Sequence, residues 1–254
     1  MSSLRALIDK SLRYPALYAS ALAARRRFQE PRTLEAAFAF TQGFKWKGGK
    51  LRAVQAEDEI LWLLEMVKAL APKRVLEIGT ANGGTLFLWT RVAAPDAHLV
   101  TVDMCPMGLL GRHAAFAVLC RGMAREAQRI DMVYDVNSQD PATLDEVRRV
   151  LGGEPVDFLF IDADHSYEGV SKDFALYSTL VRPGGLIGFH DVVQRSVNSG
   201  GVPRFWKEFN ETRETQTRLS PTEPSYGIGV WRVPDTITGD RAAAAVAGRP
   251  TPQR

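Results

Sequence analysis

The sequence predicts a doubly wound α/β fold, a mostly parallel sheet with helices on both faces, and three observations predict it. Apolar strand-like runs alternate with segments of helical period from residue 74 to residue 210. The first run, Val75-Leu76-Glu77-Ile78, leads into a glycine-bearing turn, Gly79-Thr80-Ala81-Asn82-Gly83-Gly84, that opens a helix. The last two strand-like runs, 215–219 and 227–233, have no helix between them; Pro221, Pro224 and Ser225 separate them, so they should pair antiparallel at one edge.

Taken in order, residues 1–50 read as an N-terminal helical cap or oligomer surface. Leu4, Leu7, Ile8 and Leu12 recur at helical spacing, and breaks are expected at Tyr14-Pro15 and Glu30-Pro31. Lys45 to Lys50 reads as a loop, followed by an amphipathic helix over 55–70 through Ile60, Leu63, Leu64, Val67 and Leu70. Strands are expected near 74–78, 98–102, 130–134, 156–161 and 186–190, and helices near 84–92, 110–128, 141–151, 167–180 and 203–210. The main domain is therefore placed at 51–233. Residues 234–254, rich in Ala, Gly and Pro with few large apolar groups to bury, read as a disordered tail.

Composition narrows the setting. The 254 residues carry 32 basic and 29 acidic side chains, a net charge of +3 that does not call for nucleic acid as a partner. The one basic triplet, Arg25-Arg26-Arg27, reads as a solvated helix face, with a phosphate or membrane-surface contact as the alternative. Cys105 and Cys120 do not form a C-x-x-C pair or a disulfide framework, which points to a reducing cytoplasm. No apolar run reaches the roughly eighteen residues of a membrane span, and the N-terminus lacks the uninterrupted apolar core of a signal peptide.

The glycine turn and the acid at the end of the next strand point to a nucleoside cofactor. Glycine lets backbone approach a ligand, and the helix after it offers unpaired N–H groups. Twenty residues past Gly83, the run from His98 ends at Asp103, a carboxylate where such folds hold a ribose diol. Ala81 replaces the middle glycine of a dinucleotide fingerprint, which disfavours a pyrophosphate. Glu77 puts negative charge where a cationic amino-acid end would be welcome. S-adenosylmethionine has such an end, so Glu77, Gly79, Thr80, Ala81, Gly83 and Asp103 are its candidate ligands. The alternative is a generic strand-turn-helix. Asn137 and Ser138, ending the third strand, are candidate partners for adenine, or else form a plain polar turn.

A second constellation lies on the same rim. The strand 156–161 ends in Asp162-Ala163-Asp164-His165, and the next ends in His190-Asp191. Two carboxylates with an imidazole suit Mg²⁺ or Mn²⁺, so Asp162, His190 and Asp191 are candidate metal ligands and His165 a candidate general base for an acceptor hydroxyl. In the alternative, Asp162 caps the following helix and contacts the cofactor while both histidines only hydrogen-bond around the rim. Gln55 either reaches the methyl-donor or acceptor site or stays on the surface. Phe44 and Trp46 either wall the acceptor or pack under the cap.

Over roughly residues 52–233 the chain resembles the class I S-adenosylmethionine-dependent methyltransferases, through Glu77-Ile-Gly79-Thr-Ala-Asn-Gly83-Gly84, Asp103 and the antiparallel last strands. Within them, Phe160-Ile-Asp162-Ala-Asp-His165-Ser-Tyr-Glu-Gly169 and Phe189-His190-Asp191-Val192 resemble a branch of small bacterial methyltransferases, the cephalosporin-hydroxylase-like and macrolide-sugar O-methyltransferases. The resemblance implies a seven-stranded Rossmann-like sheet, acids at the fourth and fifth strand ends that bind Mg²⁺, and a base three residues after the first acid. On this chain those positions are Asp162, His190 and Asp191, with His165 as base. His190 stands where the metal-dependent relatives place an acid. The expected activity is O-methylation of a small hydroxylated molecule such as a sugar, polyketide or phenol. N-methylation, a nicotinamide-dependent oxidoreductase and a non-catalytic cofactor-binding subunit are the alternatives, and self-association is expected through the N-terminal helices.

Overall fold

The structure, a computed structural model, describes residues 2–104, 110–193, 200–221 and 226–235, with side chains from residue 15 onward apart from 110–113. The expected tail, from residue 236, lies outside the described residues, as do Cys105, Pro224 and Ser225.

The chain opens with two helices, α1 (Ser2–Arg27) and α2 (Leu34–Gly43). The break expected at Tyr14-Pro15 does not occur, because α1 runs through Pro15. An internal proline forfeits one helical hydrogen bond and costs about 3 kcal/mol in isolation, but burial of Ala21, Ala24 and Phe28 against the core offsets it. The break at Glu30-Pro31 is present, and Thr33 caps α2 by accepting from the Ala36 N–H. Lys45 to Lys50 is not a plain loop but a hairpin, β1 (Lys45–Trp46) with β2 (Gly49–Lys50). At its tip Gly48 leaves room for the Trp46 ring, which a Cβ there would approach to 2.1 Å.

From there strands and helices alternate: α3 (Glu57–Leu70), β3 (Arg74–Ile78), α4 (Gly84–Val92), β4 (His98–Asp103), α5 (Leu110–Arg121), β5 (Arg129–Tyr134), α6 (Pro141–Val150), β6 (Val156–Ile161), α7 (Tyr167–Tyr177), β7 (Val181–His190), α8 (Val202–Asn210), β8 (Thr215–Arg218) and β9 (Ile228–Arg232). The sheet order is β5-β4-β3-β6-β7-β9-β8. The first five strands are parallel, and β9 pairs antiparallel with β7 on one side and β8 on the other. The final strand therefore inserts into the sheet, and β8 forms the edge.

Strand alternation divides the core into two layers. On β6, Phe158 and Phe160 face the layer of α1 to α5 with Phe28, Leu63 and Trp89, whereas Leu159 and Ile161 face α6, α7 and α8 with Val147, Phe174 and Phe205. Helix α5 ends at Arg121, seven residues before the expected end. The Gln128 side chain explains the loop beyond it: its Oε1 accepts from the Arg125 N–H, and its Nε2 donates to the Thr90 and Ala94 carbonyls. Apolar periodicity continues past Arg121, but this amide satisfies the backbone without a helix. Among the described residues no helix is long and apolar enough to cross a membrane.

Candidate active site

The turn after β3 is stitched to both neighbouring strands. Gly79 N–H donates to the Val102 carbonyl at 2.9 Å, and Asp162 N–H donates to the Ile78 carbonyl at 2.8 Å. Gly79 has φ +98°, and a Cβ there would lie 2.1 Å from the Asp162 carbonyl oxygen, so only glycine lets the turn abut the end of β6. Ala81 occupies the left-handed region at φ 45°, a strained choice where glycine would be relaxed. Two N–H groups of that strained segment are spoken for: Asp103 Oδ2 accepts from Thr80 N at 2.7 Å and from Ala81 N at 2.9 Å. The turn thereby fixes the Asp103 carboxylate at the carboxyl end of β4.

Glu77 is not at the cleft surface. It is fully buried beneath the turn, where Oε1 accepts from Trp89 Nε1 and Oε2 from Thr101 Oγ1, both at 2.9 Å. Thr101 also hydrogen-bonds Thr80, so the network reaches into the turn itself. Burial pushes the Glu77 carboxyl up to about 8, which keeps it neutral at physiological pH. An electrostatic attraction to an ammonium, the role expected from sequence, requires that proton to leave.

The acid and histidine residues of the second constellation do converge. Asp162 Oδ1 lies 3.2 Å from His190 Nδ1 and 3.4 Å from His165 Nε2, and Asp191 Oδ2 lies 3.3 Å from the same His165 nitrogen and 3.5 Å from His190 Nδ1. Burial alone would raise the Asp162 carboxyl, but His190 and then His165 outweigh it and hold Asp162 at about 2. Burial alone would lower His190, yet the Asp162 carboxylate lifts it to about 10. Hydrogen bonding to Asp162 raises His165 as well. Asp191 has φ 59°, a left-handed backbone that turns its carboxylate back toward Asp162.

The donor set that could hold an ion differs from the one expected. Asp162, His165 and Asp191 bring ligand atoms within 4.8 Å of one another, and His190 is not among them. His190 instead lies behind the two carboxylates: its ring is 5% exposed, its Nδ1 faces both acids and its Nε2 has no partner among the described residues. Adjacency in sequence does not make the two residues one donor set, because His190 ends β7 and Asp191 leaves the strand with a left-handed backbone.

Gln55 is buried rather than on the surface, and its Nε2 donates to Asp162 Oδ2 at 2.9 Å. Asn137 and Ser138 form a turn: Asn137 Oδ1 accepts from the Gln139 N–H, and the Ser138 carbonyl accepts from the Tyr177 hydroxyl. Asp164 likewise accepts from the Ser166 N–H at the start of α7 and from Gln139 Nε2. Phe44 packs in the core against Phe28 and Phe40, and Trp46 stacks on Phe116. Arg25, Arg26 and Arg27 are exposed.

Comparisons with known proteins agree with this geometry. Residues 76–192 match a family described as a methyltransferase domain. A catechol O-methyltransferase of Mycobacterium tuberculosis is 32% identical over 141 residues, a match covering 56% of this chain and 56% of that protein, so the chain spans about half of its relative's length. Among solved structures, an O-methyltransferase from Bacillus cereus in complex with SAH superposes with a TM-score of 0.54 at 19% identity, over 81% of this chain and 93% of that one. The MycE methyltransferase of the mycinamycin biosynthetic pathway, in complex with Mg, SAH and mycinamycin VI, has a TM-score of 0.54 at 18% identity, over 83% of this chain and 57% of that one. Residues 76–192 are thus similar to a methyltransferase domain, and the sheet has the fold of the O-methyltransferase structures on which it superposes.

Proposed function

We propose that this protein transfers the methyl group of S-adenosylmethionine to a hydroxyl of a small molecule. One observation carries the reading: the glycine turn, shaped for close backbone approach, abuts Asp162, and Asp162 meets His165 and Asp191 there. A cofactor turn and a proton-handling cluster thus share one rim, where ligands bind in open α/β sheets. Asp103 would take the ribose hydroxyls, held for that task by the Thr80 and Ala81 N–H groups. The turn from Gly79 to Gly83 would cradle the amino-acid end, with Glu77 beneath it, and Asn137 and Ser138 would border adenine.

The reaction forms a bond between acceptor oxygen and methyl carbon and breaks the sulfonium bond, leaving S-adenosylhomocysteine and a proton to be removed. His165 suits that proton. Its Nε2 faces Asp162 and Asp191, so the acids favour the tautomer with hydrogen on Nε2 and leave Nδ1 to accept. Positioning supplies the rest, since displacement at carbon needs oxygen, methyl and sulfur in line. The chemistry of the donor set also fits a divalent ion, Mg²⁺ or Mn²⁺, held by Asp162, Asp191 and His165, in which case the His165 nitrogen facing the acids would be a ligand without hydrogen and His165 would not be the base. Such an ion would lower the pKa of a bound acceptor hydroxyl. His190, donating to both carboxylates from behind, orients them in either case.

The methyl-transfer unit is placed at 51–233, with residues 1–50 as a cap or self-association surface, and the protein is assigned to the cytoplasm. The name of the mycobacterial relative makes phenolic hydroxyls the first acceptors to try. The test is a panel of hydroxylated and amino compounds with methyl-labelled S-adenosylmethionine, with and without EDTA. Label on oxygen, lost on chelation and restored by Mg²⁺ or Mn²⁺, is expected. Turnover insensitive to chelation removes the ion, and label only on nitrogen removes the hydroxyl acceptor.

A further inference from the structure

We infer that Gln55 and Thr85 form a positioning pair that sets the orientation of the Asp162 carboxylate from the helix following the cofactor turn. This inference rests on the reading of Asp162 as the site carboxylate. The geometry is a directed chain of hydrogen bonds. Thr85 Oγ1, in the first turn of α4, donates to Gln55 Oε1 at 3.2 Å, and Gln55 Nε2 donates to Asp162 Oδ2 at 2.9 Å. An isolated amide could present either end to a neighbour, but only its nitrogen can donate to a carboxylate, and the Thr85 hydroxyl supplies the matching donor for the amide oxygen. Gln55 and Thr85 are 5% and 8% exposed, so water competes weakly for either bond.

The segment carrying Gln55 is itself held against α4. Gln42 Nε2 donates to the Ala53 carbonyl at 2.8 Å. A Cβ on Gly84 would lie 2.1 Å from Ala53 N and 2.1 Å from the Arg52 carbonyl carbon, so the Arg52–Ala53 peptide crosses directly over the first residue of α4. Gln55 is thereby inserted between the cofactor-side helix and the acid.

The consequence is a division of labour between the two oxygens of Asp162. Oδ2 is tied to Gln55, while Oδ1 is turned to His190 and His165. Rotation of the carboxylate about its Cβ–Cγ bond would exchange these partners, and Gln55 opposes that rotation. Gln55 does not touch the reacting atoms in this arrangement; it acts through Asp162, and Thr85 acts through Gln55.

The test uses the full chain and the acceptor that gives most turnover with the wild type. Gln55→Leu is expected to lower kcat by about a hundredfold, the scale of a misplaced catalytic group, with the acceptor KM and the affinity for S-adenosylhomocysteine each within about threefold of wild type. Thr85→Val should lower kcat about tenfold, and Thr85→Ser, which keeps the hydroxyl, should recover most of it. In the double variant Gln55→Leu/Thr85→Val the loss should be no greater than in Gln55→Leu alone, because Thr85 has nothing left to orient. A kcat within threefold of wild type for Gln55→Leu, or two losses that multiply, overturns the inference while leaving the methyltransferase reading intact. Failure of the wild type to bind S-adenosylhomocysteine or to methylate any acceptor overturns both.

Discussion

Replacing Glu77 by glutamine separates two accounts of the residue at the base of the cofactor turn. In the folded chain this carboxyl is fully buried and holds its proton up to about pH 8, whereas in the unfolded chain it ionises near 4.5. The folded state therefore binds the extra proton throughout that window, and stability falls as pH rises through it. At 1.36 kcal/mol per pH unit, Glu77 contributes a loss of about 3 kcal/mol between pH 5 and pH 7.5. Glutamine keeps an oxygen to accept from Trp89 Nε1, gives up the second acceptor to which Thr101 Oγ1 donates, a cost that does not vary with pH, and does not titrate. Urea denaturation followed by tryptophan fluorescence at pH 5, 6 and 7.5 gives the comparison. The stability difference, Glu77→Gln minus wild type, should grow by about 3 kcal/mol across that range. Parallel pH dependences for the two proteins would show that Glu77 is ionised in the fold and that the neutral buttress is wrong.

Two more outcomes concern the same rim. Gly79→Ala forces a side chain to within 2.1 Å of the Asp162 carbonyl at φ +98°, so calorimetric melting should show a loss of at least about 3 kcal/mol or no folded protein; a melting temperature equal to wild type would contradict the close approach. His165→Ala should lower kcat by about a hundredfold to ten-thousandfold while S-adenosylhomocysteine binding is retained, and turnover near the wild-type rate would remove His165 as the base.

Much of this arrangement is legible in the residues themselves. Alternation of apolar runs places the five parallel strands, and the helix-free spacing between 215 and 233 foretells the antiparallel pair. Local pattern fails where a distant partner decides. Pro15 reads as a helix break because its own ring opposes a helix, and only the burial of Ala21, Ala24 and Phe28 shows why α1 continues. The 110–128 segment reads as helix because nothing nearby reveals that Gln128 will bond the carbonyls at the C-terminal end of α4 and just beyond it.

The site divides along the same line. Asp103, Asp162, His165 and Asp191 are readable because strand ends in this fold deliver side chains to one rim. Both imidazoles reach the carboxylates, and which of them shares an ion-sized donor set with the acids is not readable, since it depends on how the loop after β6 is carried back over the end of β7; in the structure that set is Asp162, His165 and Asp191. Gln55 is hidden for a simpler reason. Its partner Asp162 is far away in sequence, and a lone glutamine before a helix has no periodicity to betray burial. Glu77 is visible as a motif residue, yet its neutrality arises only from its burial beneath the turn, among Trp89 and Thr101.

We propose that the Gly79–Gly83 turn and Asp103 together form a seat for a sulfonium nucleoside. Titration calorimetry of the wild type and of Asp103→Ala, with S-adenosylhomocysteine and with NAD, tests it most directly. Micromolar binding of S-adenosylhomocysteine but not NAD is expected, weakened at least about tenfold in the variant because a ribose partner is lost and the Thr80 and Ala81 N–H groups lose their acceptor. Binding of NAD in its place, or equal affinity in wild type and variant, would contradict the claim.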